Sequence, residues 1–319
     1  MRELRTLLFG CLSLAGLALP PASAAVLIPV PAVSNSTLTT AFAINDNDII
    51  AGSFIGASDG VEHSFFGSLD GTYTTFDAGT GGSEARGIND GGLITGFSNS
   101  QNGNTANEPA FERKPGGKIV NVTISGQQLY GNPQGVNNTK GKFAGTRWDQ
   151  GEHEAVAFVG RRGQWKRDVR IPDEHQASTA GGINSSDVVV GSYFQPPTHG
   201  YIVSGKTLTT VDYPSSENQG TTLEGINDNG LVVGQWVDSF GDIHSFLLDP
   251  TTNIFTDIKV SGATNVEAWA INTAGAVAVS TDIGSFVWCA KKSQCPSGGT
   301  EVAAPVDAVA PQINYERAR

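Results

Sequence analysis

Three short stretches of this chain set carboxylates beside an imidazole: Asp59, Glu62 and His63; Asp149, Glu152, His153 and Glu154; and Asp238, Asp242 and His244. These are the parts of general acid–base chemistry, in which a positioned group gives or takes a proton in the transition state. An acid–base site would bring the Glu152 and Glu154 carboxylates together with an imidazole from a second repeat. Aromatic residues stand just before these stretches and at matching places elsewhere, at Phe54, Phe97, Trp148, Tyr193 and Trp236. Flat aromatic faces beside acids and amides are what sugar rings stack on. A ligand surface would then use Trp148, Tyr193 and Trp236 as platforms, with His63, Glu152, His153, Glu154, Asp238 and Asp242 as polar partners. The plainer reading, preferred here, packs the aromatics between sheets and turns the acids to water.

Other motifs yield to simpler accounts. Gly56-Ala57-Ser58-Asp59-Gly60 spells a nucleophile elbow, but that motif needs a strand-to-helix turn with a distant acid and histidine, and here it sits in a polar loop. The Asn-Asp-x-Gly segments, such as Asn89-Asp90-Gly91-Gly92, have oxygen ligands that calcium could use, but they lack the spaced acids and bidentate Glu of an EF-hand. Asn, Asp and Gly are also what a tight hairpin turn requires. His63, His199 and His244 occupy equivalent positions, yet equivalent positions spread around a ring need not converge on one metal, and a hydrogen bond to a neighbouring blade is the expected role. No cofactor is expected, calcium being the one ion the turns leave open.

The elements that carry these residues repeat. Ile-Asn or Val-Asn recurs at Asn45, Asn89, Asn137, Asn184, Asn227 and Asn272, at spacings of 44, 48, 47, 43 and 45 residues. Seven or eight residues later comes Gly52, Gly96, Gly145, Gly191 or Gly234, with Val279 in the sixth copy. An aromatic follows at Phe65, Phe111, Phe158, Tyr201, Phe246 and Phe286, and then a Thr-rich run such as Thr209-Thr210-Val211. Each unit reads as four strands, a to d, with a tight turn from a to b. Units of about 45 residues with four strands are the size of propeller blades. The expected fold is all-β, a six-bladed β-propeller, with five or seven blades as the alternative. The b–c loops would then share one face with the d–a connections, around the mouth of a central channel.

The ends fit the same scheme. Val26-Leu27-Ile28-Pro29-Val30-Pro31 resembles a strand d without its own unit, and the sixth copy lacks one, so the first strand is expected to complete the last blade and hide both sheet edges. Residues 25–295 form the expected propeller and 296–319 an aperiodic, flexible tail. Arg2 and Arg5, an apolar run from Leu7 to Leu19 and Ala22-Ser23-Ala24 read as a signal peptide spanning 1–24, too short to cross a membrane as an anchor. Export to the periplasm or beyond follows. Losing Cys11 with the leader leaves Cys289 and Cys295, expected to form one disulfide in an oxidising compartment.

Of 20 basic and 31 acidic residues, removal of Arg2, Arg5 and Glu3 leaves 18 and 30, a net charge of −12. Such a field repels nucleic acid and anionic lipid, so neither is an expected partner.

The units resemble the bacterial extracellular repeat family called HAF, after a His-Ala-Phe signature. It stands here as His63-Ser64-Phe65, Pro109-Ala110-Phe111, Val156-Ala157-Phe158, His199-Gly200-Tyr201, His244-Ser245-Phe246 and Gly284-Ser285-Phe286. The resemblance covers essentially the whole mature chain and implies a secreted propeller, without bringing a chemistry. With no catalytic motif, the expected function is a monomeric, non-catalytic binding module for an extracellular polysaccharide or protein. The alternative is a secreted hydrolase or lyase working on an extracellular polymer or phosphate ester through the acids and histidines of the b–c loops.

Overall fold

The computed structural model describes residues 25–99, 108–149, 151, 154–169, 171, 177–215, 217–297, 302–304 and 308–309. The expected leader at 1–24 lies outside them. The architecture is all-β, and among the described residues the one helical element is a three-residue 3-10 turn, Lys292–Gln294. No helix among them is long and apolar enough to cross a membrane.

Unit one runs Ser36–Ile44, Ile50–Gly56, Glu62–Gly67 and Tyr73–Phe76, and unit two Ser83–Ile88, Ile94–Ser98, Ala110–Arg113 and Ile119–Asn121. Unit three has Gly131–Val136, Lys142–Asp149, Glu154–Arg161 and Gln164–Asp168, and unit four Ser178–Ile183, Val189–Phe194, Thr198–Ser204 and Thr207–Val211. Unit five has Gly220–Ile226, Val232–Val237, Ile243–Asp249 and Ile254–Ile258. Unit six supplies Val266–Ile271, Ala276–Thr281 and Gly284–Cys289, and its fourth strand is Ala25–Pro29, antiparallel to Gly284–Cys289 with Leu27 opposite Trp288. Five hydrogen-bonded sheets result, units four and five being joined by one parallel pair at Thr198 and Gly220, and no sheet closes on itself. The segment expected to be a flexible tail includes two short strands: Val302–Ala304 pairs with Ala25–Pro29, and Ala308–Val309 pairs with Ile254–Ile258. Cys289 and Cys295 are disulfide-bonded, tying the end of strand c of unit six to the 3-10 turn.

The repeat signature has a packing cause. In strand b each glycine lies opposite the aromatic of strand c, as Gly96 does Phe111 and Gly234 does Phe246. A Cβ on Gly96 would lie 1.9 Å from the Glu84 carbonyl oxygen and 3.0 Å from the Phe111 ring. Only a residue without a side chain lets strand a and the aromatic both close on that point. Phe65, Phe111, Phe158, Tyr201 and Phe246 are consequently buried, whereas Phe286, opposite Val279, stays partly exposed. Burying each such ring contributes roughly 1.5–3 kcal/mol.

The core is divided into apolar clusters between successive sheets. Ala43, Ala51 and Ile94 pack units one and two, and Val233, Ile258 and Val277 pack units five and six. Ile28, Val287 and Ala276 meet Ala41, Ile50 and Phe65, so the last unit also packs on the first. The asparagines do the equivalent polar work. Each Nδ2 donates to the carbonyl of the next: Asn45 to Asn89 at 3.0 Å, Asn89 to Asn137 at 3.0 Å and Asn137 to Asn184 at 3.3 Å. Asn184 continues to Asn227 at 3.2 Å, Asn227 to Asn272 at 2.9 Å, and Asn272 returns to Asn45 at 3.2 Å. Each Oδ1 meanwhile accepts amides of its own a–b turn, as Asn227 accepts Leu231 N–H at 2.9 Å. Asp could accept those amides but not donate, which explains why the position is Asn.

Candidate functional site

Every strand a departs from regular pairing shortly before its asparagine, and strand a of unit one does so a second time between Ser36 and Leu38. The register slips between Ala41 and Ala43, Ala85 and Gly87, Pro133 and Val136, Ala180 and Gly182, Leu223 and Gly225, and Ala268 and Ala270. A β-bulge turns its extra side chain out of the sheet alternation. The bulged residues, three before each asparagine, are Phe42, Arg86, Gln134, Gly181, Glu224 and Trp269, and they line one central cavity of about 70 Å³. Ile44, Ile88, Val136, Ile183, Ile226 and Ile271 form an apolar band shared with a second, polar cavity of about 60 Å³ at the asparagine turns.

The bulge residues differ from unit to unit, and their differences make chemistry. The Arg86 guanidinium carbon lies 3.9 Å over the Phe42 ring and 5.3 Å from the Trp269 ring, a cation held on aromatic faces. Its Nη2 is 2.6 Å from Glu84 Oε2, both side chains largely buried. Beyond this ion pair, Glu84 Oε2 and Arg86 Nε have no hydrogen-bond partner within the protein. Burial pushes the Glu84 carboxyl up to about 7, Arg86 opposes this, and the charge and hydrogen bond of Glu62 add to it. Glu62 itself is held by Ser53 Oγ at 2.6 Å and Asn99 Nδ2 at 3.1 Å. Burial likewise raises Glu224, with Thr222 and Arg86 opposing and Glu267 adding to the rise. Glu224 is half-buried and lines the central cavity. Glu108 is raised by burial against the pull of Arg86. Arg86 is thus a cation felt by three carboxyl groups from units two and five, one of them poised to exchange a proton near neutrality. Such a group can act as general acid or base, and the guanidinium can stabilise negative charge developing beside it.

The residues singled out from sequence are placed differently. His63 Nδ1 is 3.0 Å from both oxygens of Asp77, its Nε2 is 3.2 Å from Asp59, and its ring lies on Phe54. Burial lowers the His63 pKa, but Asp77 and Asp59 together outweigh it and the net shift is upward. His199 pairs with Asp212 at 2.8 Å and His244 with Asp238 at 2.9 Å. Every one of these bonds stays within its own unit, correcting the expected bond to a neighbouring blade: His63 and His199 reach the residue after strand d, and His63 and His244 reach an acid of the b–c loop. Asp238 is buried and also accepts the amides of Phe240 and Asp242, so it and Asp242 belong to a turn. Tyr193 is 8% exposed, with its hydroxyl 3.1 Å from Thr210 Oγ1, and Trp236 lies between Tyr213 and His244 at ring distances of 4.7 and 4.5 Å. Trp148 keeps 42% of its surface exposed. Glu154 opens strand c of unit three opposite Asp149. Glu152 and His153 lie outside the described residues, as does whatever Glu152 and His153 would form with Glu154. The Gly56–Gly60 segment is a tight turn closed by Gly60 N–H to the Gly56 carbonyl at 2.9 Å, which leaves no strand-to-helix elbow there. Among the described residues no group of three His, Cys, Asp or Glu is arranged to hold a metal ion.

Sequence reasoning passed over Glu84, Arg86, Glu224 and Glu267 because it looked to the loops. The signal lay in the repeat: aligned on the asparagine, positions three and five before it hold Phe, Arg, Gln, Gly, Glu, Trp and Thr, Glu, Asn, Thr, Thr, Glu. Charges in a strand expected to line the axis are costly unless used.

No protein-family model matches the chain, and no curated protein matches it in sequence. Among solved structures it is similar to a candidate gluconolactonase, at a TM-score of 0.50 and 12% identity over 90% of this chain and 94% of that one. It is similar also to virginiamycin B lyase from Staphylococcus aureus, at 0.48 and 12% over 82% of each chain. The WD40 β-propeller domain of Doa1 matches at 0.42 and 12% over 85% of this chain and 99% of that one. The fold is a β-propeller. Identity this low gives the fold and not the reaction. The expectation of a non-catalytic binding module is corrected: a chain of this fold, at a TM-score of 0.50, is named as a candidate gluconolactonase, which the enzyme alternative fits better.

Proposed function

We propose that this protein is a secreted enzyme, a hydrolase or lyase of an extracellular polymer, working at the propeller channel rather than through the histidines of the b–c loops. The observation that carries the reading is Glu84, a carboxyl pushed up to about 7 and ion-paired with Arg86, with no further hydrogen bond within the protein to Glu84 Oε2 or Arg86 Nε. Glu84 would carry the transferred proton, with Glu62 as the neighbouring carboxylate that keeps its proton affinity high. Arg86, fixed on Phe42 and Trp269, would donate to the oxygen on which negative charge builds. A cavity of about 70 Å³ admits water and the reacting end of a substrate, leaving the rest of a polymer on the face outside. The carboxylates around Arg86 disfavour a phosphate ester.

The same reading has six blades in a ring completed by Ala25–Pro29, a HAF-type chain exported behind its leader. The asparagine circuit, the packing of unit six on unit one and the Cys289–Cys295 bridge support it.

The test is a turnover screen of the purified mature chain on neutral and acidic polysaccharides, glycosides, esters and lactones, reading reducing ends, acid release and unsaturated products. At least one class should turn over, and Glu84→Gln should lower kcat by about 100-fold or more. No turnover on any class, or a Glu84→Gln variant as active as the parent, would overturn the reading.

A further inference from the structure

A third cavity, of about 230 Å³, is lined by Glu108, Asn132, Thr146, Arg147, Trp148 and Ala155. Trp148 is 42% exposed and stacks on no ring among the described residues. Asn132 and Thr146 face each other across strands a and b of unit three, with Trp148 two residues beyond Thr146 on the same side. Asn132 Oδ1 and Thr146 Oγ1 are buried, and neither hydrogen-bonds within the protein. Buried oxygens without partners are rare and mark a place where something else completes them. Among the described residues the one cation in the lining is already spent: the Arg147 guanidinium is bidentate on Asp168 at 2.9 Å and reaches Asp149 at 2.8 Å. Glu108 adds a carboxyl to the lining, and it feels the Arg86 charge.

We propose that this cleft is a subsite for a neutral sugar ring of the substrate. The ring's apolar face would lie on Trp148, and its hydroxyls would bond Asn132 Oδ1, Thr146 Oγ1 and the Glu108 carboxyl. An aromatic plane beside hydroxyl-pairing oxygens fits a pyranose, and the absence of an unpaired cation in the lining disfavours a uronate or sulfated ring. The inference rests on the proposed enzyme only for calling the sugar a substrate, since binding at Trp148 stands without turnover.

The experiment titrates the mature protein with cellohexaose, laminarihexaose, maltohexaose and xylohexaose, and with oligogalacturonate as the anionic comparison, by calorimetry and tryptophan fluorescence. At least one neutral hexasaccharide should bind saturably and more tightly than oligogalacturonate. Trp148→Ala should weaken it about tenfold, and Trp148→Phe by less. Thr146→Val, which keeps the shape and removes one oxygen, should weaken it about threefold, a readout that does not depend on how Trp148→Ala folds. Glu84→Gln should bind the sugar as the parent does, so that loss of turnover with binding intact separates this subsite from the catalytic reading. Failure of every neutral sugar to bind, tighter binding of oligogalacturonate, or parental affinity in both Trp148→Ala and Thr146→Val would overturn the proposal.

Discussion

At the turn end of the channel each asparagine amide reaches the carbonyl of the next unit and each Oδ1 takes amides of its own turn, as Asn184 does with Ser186 and Val188. Three residues earlier the same strands present Phe42, Arg86, Gln134, Gly181, Glu224 and Trp269 to a cavity in which Arg86 Nε has no partner. One end repeats because six neighbouring units impose the same geometric demand. The other end breaks the repeat and holds buried ionisable groups that stability alone would have removed. Residues that repeat are there for packing, whereas the departures from the repeat mark where ligand or substrate interactions have replaced internal ones.

The largest expected effect belongs to the repeating end. A Cβ on Gly52 would lie 1.9 Å from the Thr40 carbonyl oxygen, so Gly52→Ala must separate strands a and b of unit one. A loss of about 3 kcal/mol in urea unfolding is expected. Next comes Asn227→Asp, which keeps the acceptor for Leu231 N–H but sets a carboxylate against the Asn272 carbonyl. It should cost about 2 kcal/mol, measured the same way.

The non-repeating end should respond with the opposite sign. The Glu84 carboxyl binds its proton more tightly folded than unfolded, its value rising from 4.5 to about 7. The folded state therefore loses stability as pH rises from about 4.5 to about 7, and the full cost is present above that. Glu84→Gln should raise stability at pH 8 by about 1–3 kcal/mol and change it little at pH 4, as read from urea unfolding at both pH values. The smallest effect is at His63, which is partly exposed and held by Asp77 and Asp59. Its raised pKa means that the pairing helps fully at pH below about 6.5 and is lost as pH climbs through the folded value. Asp77→Asn should cost under about 1 kcal/mol at pH 5.5 and less still at pH 9.

Much of the fold was legible because the repeat is a packing code. Gly96 opposite Phe111 and Asn89 bonded to the Asn137 carbonyl are local demands, and each leaves a fixed residue at a fixed spacing. The strand at Ala25–Pro29 was legible for the same reason, since unit six visibly lacked a fourth strand. The site was not. His63, His244 and Asp238 have the residue types of catalysis, but the hydrogen bonds that hold b–c hairpins use the same types. What separates them from Arg86 is its place in the central cavity, with Glu84 buried against it, and that depends on a bulge at Ala85 and Gly87 whose register emerges only when strand a pairs with strand b. Trp148 and Trp236 looked alike in sequence. Tyr213, which arrives from the d–a connection, covers Trp236, and no ring among the described residues covers Trp148.

The most direct test of the channel site is the titration of the Glu84 side chain itself, by carbon NMR of the mature protein labelled at the glutamate carboxyls, with Glu84→Gln to assign the signal. The account predicts a carboxyl resonance that titrates with a midpoint near 7 and disappears in the variant. A Glu84 signal titrating at the ordinary value near 4.5 would mean that the group lies in water, and the channel would then hold no poised acid.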